Sequence, residues 1–118
     1  MLVRSFRDSE AWQASHELTL RIYGVTRQFP REELFGLTSQ LRRAASSIAA
    51  NLAEGYGRHS KSELRRFCRI ANGSLHETSY FLLLATDLGY LEEATMDDLT
   101  QMTRRVGQLL GGIERSLG

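Results

Sequence analysis

One proline and one cysteine occur in the 118 residues of this chain, and neither a long apolar run nor a stretch of strand-like alternation is present. Each shortage excludes something. A lone Cys68 forms no internal disulfide, so composition gives no sign of an oxidising compartment. A bilayer-spanning helix needs about 20 consecutive apolar residues, and no segment approaches that. The opening MLVRSFRDSEAW is basic but lacks the apolar region of a secretory signal. The expectation is a soluble cytoplasmic protein with no membrane partner, folded as one domain over residues 1–118 and large enough to bury a core without covalent staples.

Lysine is as scarce: fourteen of the fifteen basic side chains are arginine. Arginine suits bidentate contact with phosphate, although a GC-rich genome supplies the same bias. The net charge of +1 names no partner, but its distribution is uneven. From Arg42 to Arg69 seven basic residues face only Glu54 and Glu63, whereas Ile70 to Thr103 holds six acidic residues and no Lys or Arg.

What the chain has in quantity is helical periodicity. Four helices are expected, at about 9–28, 38–56, 61–88 and 95–117. The first carries Ala11, Ala14, Leu18, Ile22 and Val25 on one stripe and ends before Phe29-Pro30, because a residue preceding proline is pushed out of the helical region. Thr38 is a candidate cap for the second, and Gly55 or Gly57 its stop. Ser60-Lys61-Ser62-Glu63 fits a capping box for the third, which carries Leu64, Phe67, Ala71, Leu75, Thr78 and Leu82 and ends at Gly89. The fourth starts at Thr95 with the stripe Leu99, Met102, Val106, Leu109, Ile113 and Leu117. Short connections between long amphipathic helices imply an all-α, antiparallel up-down-up-down four-helix bundle.

The second helix has two stripes. Leu37, Leu41, Ala44, Ile48 and Leu52 are apolar; Gln40, Arg43, Ser47, Asn51 and Glu54 form a polar row beside them. Seven of the ten residues from Ala44 to Ala53 are Ala or Ser, which lets another backbone come close. The polar row is expected to form a hydrogen-bonded network within the subunit or across to a neighbour; a solvated flank with pairs such as Glu54–Arg58 is the plainer alternative. The run Tyr80 to Ala85 is apolar through more than a full turn, so Tyr80, Leu83 and Leu84 call for cover by a second subunit or by loops.

Antiparallel topology gathers Arg4, Arg7, Arg58, His59, Lys61, Arg65 and Arg115 at one end and Asp87, Glu92, Glu93, Asp97 and Asp98 at the other, with Asp97 and Asp98 in the first turn of the fourth helix. Candidate nucleic-acid contacts are Arg4, Arg58, His59, Lys61, Arg65, Arg66 and Arg69; an ordinary charged helix surface reads the same way. Catalytic and metal chemistry find no foothold. No Glu precedes a His by three residues, so the carboxylate-bridged metal pattern of bundles is missing. Gly55-Tyr56-Gly57 lacks the Lys-Ser/Thr of a phosphate-binding loop, and Cys68, beside Phe67, reads as a small buried hydrophobe. No enzyme activity, cofactor or metal is expected.

Specific segments do carry a resemblance. They are Phe6 with Ala11-Trp12-Gln13, Ile22-Tyr23, Phe29-Pro30, Glu33-x-Phe35-Gly36-Leu37-Thr38, and Gln40-Leu41-Arg42-Arg43-Ala44-Ala45. Ser47-Ile48-Ala49-Ala50-Asn51-Leu52-Ala53-Glu54-Gly55, Phe67, Ile70-Ala71 and Gly73-Ser74-Leu75-x-Glu77 follow. Together they resemble the bacterial "four helix bundle protein" family, also known as 23S ribosomal RNA intervening-sequence proteins, over nearly the whole chain. Ala50 stands where that family commonly has proline. The resemblance implies an up-down bundle assembling as a ring-shaped homo-oligomer, a homopentamer. It also implies kinship with the accessory protein of diversity-generating retroelements, a basic pentameric barrel that works with a reverse transcriptase and nucleic acid. It brings no catalytic residues. The function expected from residues and resemblance together is a non-enzymatic oligomer that binds RNA or another nucleic acid through its basic end. The alternative is a protein-interaction scaffold, recruiting a protein such as a reverse transcriptase.

Overall fold

A computed structural model describes residues 5–118, so Arg4 lies outside the described residues. Four α-helices follow in order: α1 (Glu10–Thr26), α2 (Leu37–Gly57), α3 (Lys61–Asp87) and α4 (Glu93–Ser116), with 3-10 turns at Phe6–Asp8 and Arg31–Glu33. No strand occurs among the described residues. Sequential helices pack side by side and α4 closes back on α1, while no close backbone approach joins α1 to α3 or α2 to α4. Neighbours run antiparallel. The hydroxyl of Tyr56, late in α2, donates to Ser9 Oγ at the cap of α1, and Arg65, early in α3, reaches the carbonyl of Leu117 just beyond α4. The bundle measures 42 × 25 × 19 Å, its length set by α3, whose 27 residues rise about 40 Å.

Local chemistry sets the helix ends. Ser9 and Ser60 cap α1 and α3, accepting from the backbone N–H of Trp12 and Glu63. The reciprocal half of the expected capping box is replaced, because the Glu63 carboxylate pairs with Arg58 and Arg66. Thr38 does not cap α2. The cap position is Gly36, and Glu33 Oε1 accepts from Leu37 N–H instead. A Cβ at Gly36 would lie 2.9 Å from that Oε1 atom, which is why glycine suits the site. At the end of α3, Gly89 (φ +83°) takes the left-handed conformation while Tyr90 N–H reaches Ala85 O and Gly89 N–H reaches Thr86 O. This is the Schellman arrangement. After α2 the left-handed residue is His59 (φ +54°), not a glycine. Gly55 is not a stop. It is buried within α2, where a Cβ would come 2.9 Å from Phe67 Cβ and 3.2 Å from Leu64 Cδ1. The missing side chain lets α2 and α3 close up. The fourth helix begins two residues before Thr95, at Glu93, with no side-chain cap, so Glu93 occupies the first turn and Asp97 and Asp98 move to the second.

The core runs along the expected stripes of α1, α2 and α3: Leu18, Ile22, Leu41, Ile48, Leu52 and Leu82 are all but fully buried. In α4 the stripe is rotated. Leu99, Thr103, Val106 and Leu110 face inward, while Met102, Leu109 and Ile113 pack from the flank. Buried hydroxyls are satisfied inside their own helices: Ser15, Thr19 and Thr26 donate to the carbonyls of Ala11, Ser15 and Ile22. Among the described residues no buried side-chain nitrogen or oxygen lacks a partner. Among the described residues no helix is long and apolar enough to cross a membrane.

Candidate nucleic-acid interface

Arg65, Arg66 and Arg69 share a face of α3 by their three- and four-residue spacing, and with Ser62 and Ile70 they line a shallow open depression. Lys61 and Ser60 stand at its N-terminal edge. Each arginine is held by a specific partner. Arg66 Nε donates to Glu63 Oε2 at 2.9 Å, and Arg58 Nη2 donates to Glu54 Oε2 at 2.8 Å with Nη1 3.7 Å from Glu63 Oε1. Arg69 Nε donates to Glu114 Oε1 across to α4 at 2.8 Å, and Arg65 Nη2 donates to Leu117 O at 2.8 Å, at the negative end of the α4 dipole. The Phe67 ring lies beside two guanidinium groups, 4.5 Å from Arg66 and 5.3 Å from Arg58. Hydrogen bonding from Arg66, with the charges of Arg66 and Arg58, holds the Glu63 carboxyl below its ordinary range; the same hydrogen bond raises Arg66.

The five cations Arg58, Lys61, Arg65, Arg66 and Arg69 therefore face three carboxylates, Glu54, Glu63 and Glu114, leaving a surplus of two positive charges. The face is less basic than the sequence suggested. Its ion pairs are exposed, however, and pairs of that kind contribute only about 0–1 kcal/mol each. A phosphate can replace a carboxylate on such an arginine at little cost. His59 is exposed at the turn beside this face, without a side-chain partner among the described residues.

Within the chain, the polar row of α2 does not form a side-chain network. Asn51 Nδ2 donates to Ser47 O, Ser47 Oγ to Ala44 O, and Glu54 pairs with Arg58 as in the plainer alternative. Gln40, Arg43 and Ser47 instead line a groove of about 330 Å³ against Glu77 and Phe81 of α3. Arg43 and Glu77 enter no ion pair among the described residues. Tyr80 and Leu83 are 56% and 50% exposed on the outside of α3, but Leu84 departs from the expectation and packs against the core from its flank.

The opposite end is not purely acidic. Asp87, Glu92, Glu93, Asp97 and Asp98 are exposed, with Asp98 3.6 Å from Arg21. Beside them lies an arginine group absent from the sequence reading: Arg27, Arg31 and Arg42 line one cleft between the end of α1, the following turn and the start of α2. The spacing of Arg27 and Arg31 around Phe29-Pro30 is the only linear signal; Arg42 joins them through tertiary packing. Among the described residues no three His, Cys, Asp or Glu side chains are grouped to hold a metal. Cys68 is buried, its Sγ 3.5 Å from Leu110 O, and burial with the nearby Glu114 charge pushes its thiol up to about 11.

Fold and surface define a small all-helical bundle protein with a charged outer face. The sequence pattern of the 23S rRNA-intervening sequence proteins matches residues 7–112, and the chain belongs to that family. A crystal structure of a protein of unknown function from the S23 ribosomal protein family of Bacteroides thetaiotaomicron VPI-5482 has the same fold. Its TM-score is 0.80 at 23% identity, over 87% of this chain and 96% of that one. No curated protein matches this chain.

Proposed function

We propose that this chain is a non-enzymatic homo-oligomer, a pentameric ring, that binds RNA or another nucleic acid through the basic face at the start of α3. The observation that carries the reading is the clustering of Arg65, Arg66 and Arg69 around one open depression, with Lys61 at its edge and only exposed, weakly held carboxylates as competitors. Fixed guanidinium planes and the exposed Ile70 offer phosphate and base contacts on one surface. A ring would repeat this face on each subunit and raise the local field. Assembly is supported by the outer face of α3, where Tyr80 and Leu83 are exposed, and by the groove in which Arg43 and Glu77 have no ion-pair partner among the described residues. Light scattering at micromolar concentration reads the assembly directly, and a monomer would overturn it. Native gel shifts with structured RNA read the binding, and purified protein free of nucleic acid that shifts no RNA at low salt would overturn that.

The scaffold reading is favoured by a different observation. Phe35 is 93% exposed and Leu34 47% exposed in the α1–α2 connection, far from the basic face. A protein partner, a reverse transcriptase among the candidates, recovered through this region after nuclease treatment would support it over nucleic-acid binding.

A further inference from the structure

The cleft formed by Arg27, Arg31 and Arg42 is a separate anion site, and we propose that it binds the terminal phosphate of a nucleotide or of a nucleic-acid 5′ end. It lies at the opposite end of the bundle from the α3 face, so it stands independently of the function proposed above. Its volume of about 380 Å³ falls within the ~300–1,000 Å³ range of small-ligand sites. Three arginines line it and none enters an ion pair among the described residues. Like charges gathered without a counterion repel one another, and that repulsion is relieved when an anion enters.

The site is built in advance. Arg42 Nε donates to Thr26 Oγ1 at 2.8 Å and Nη2 to Tyr23 O at 3.3 Å, while the guanidinium carbon sits 4.6 Å from the Tyr23 ring centroid. These contacts fix its plane and leave Nη1 available. Thr38, a buried residue, also lines the cleft. Of the two carboxylates in the turn, Glu33 is engaged elsewhere, accepting from Leu37 N–H and from the Tyr90 hydroxyl at 2.9 Å, and Glu32 is exposed and enters no ion pair among the described residues. Three arginines can offer more donors than the roughly four lone-pair sites of a carboxylate accept, whereas a terminal phosphate offers three oxygens. Phe29, Pro30 and Leu34 give the cleft an apolar wall beside the charges.

Amide NMR titration of the full chain tests this with four probes: inorganic phosphate, adenosine 5′-monophosphate, and one short RNA bearing either a 5′-phosphate or a 5′-hydroxyl. Thr38, Ser39 and the Arg27–Arg31 segment should shift with phosphate-bearing probes, and the 5′-hydroxyl RNA should leave them unmoved. Tighter binding of the mononucleotide assigns the source as a small nucleotide; tighter binding of the 5′-phosphorylated RNA assigns it as a strand end. Arg27→Ala and Arg31→Ala should each weaken binding about tenfold, as expected for loss of one charge-assisted contact. Thr38→Val, which keeps the packing and removes the hydroxyl, should weaken it several-fold. Lys61→Ala, at the other end, should leave mononucleotide affinity unchanged even if it impairs RNA binding. No shift at millimolar phosphate and mononucleotide in low salt overturns the site. So does affinity unchanged in both Arg31→Ala and Thr38→Val.

Discussion

Replacing Gly55 with alanine is a sharp probe of how the bundle closes. The added methyl would sit 2.9 Å from Phe67 Cβ, 3.2 Å from Leu64 Cδ1 and 3.5 Å from Leu64 Cα. Leu64 Cδ1 can swing away, but Phe67 Cβ is one bond from the backbone, so α2 and α3 must separate by several tenths of an ångström. Overpacking of this kind costs about 1–3 kcal/mol. Alanine recovers up to about 1 kcal/mol of helix propensity, because Gly55 lies inside α2 rather than at its stop. The two terms leave a net loss of about 0–2 kcal/mol, centred near 1, a fall in Tm of up to several degrees for a chain of this size. Gly57→Ala is the internal control. Nothing lies within 4 Å of its would-be Cβ, so only the propensity gain remains and the sign reverses, to a gain below about 1 kcal/mol. Urea unfolding followed by helical circular dichroism measures both. A Gly55→Ala protein stabilised as much as Gly57→Ala would refute the close approach of α2 and α3. It would also remove the reason for Phe67 to be fixed between Arg58 and Arg66.

Two further outcomes follow from the titrating groups. Glu63 has its folded-state value below the ordinary 4.5, so its ion pairs stabilise the fold above that value and the contribution is lost as pH falls through the lowered folded value; urea midpoints across acidic pH should decline less in Glu63→Gln than in the parent. Cys68 is raised from 9.0 to about 11, so its neutral thiol stabilises the fold below pH 9 and that contribution disappears as pH rises towards 11; at pH 8 a soluble thiol reagent should modify folded protein at least about a hundredfold more slowly than urea-unfolded protein, and equal rates would contradict its burial.

The backbone plan was legible because three of the four helices bury residues that look buried: Leu18 and Ile22, Leu41 and Ile48, Leu75 and Leu82. The fourth misled because Thr103 faces inward with its hydroxyl bonded to Thr100 O, a polar residue made apolar by its own helix, so the visible stripe fell on Met102 and Leu109 instead. Leu84 misled for a related reason: an apolar run on a helix cannot tell a flank contact from an open face. The α3 arginines were legible from spacing. Their neutralisation was only partly so, since Arg69 and Glu114 lie 45 residues apart in sequence and meet only when α4 returns beside α3. The Arg27, Arg31 and Arg42 cleft depends on how the turn after α1 folds over the start of α2, which no periodicity encodes.

The central claim is that the start of α3 binds nucleic acid through phosphate. Its most direct test is the affinity for one structured RNA, measured by fluorescence anisotropy over a series of salt concentrations, for the parent and for Lys61→Ala and Arg66→Ala. Log affinity should fall linearly with log salt, with a slope shallower by about one for each cation removed. Binding indifferent to salt, or slopes identical in all three proteins, would contradict it.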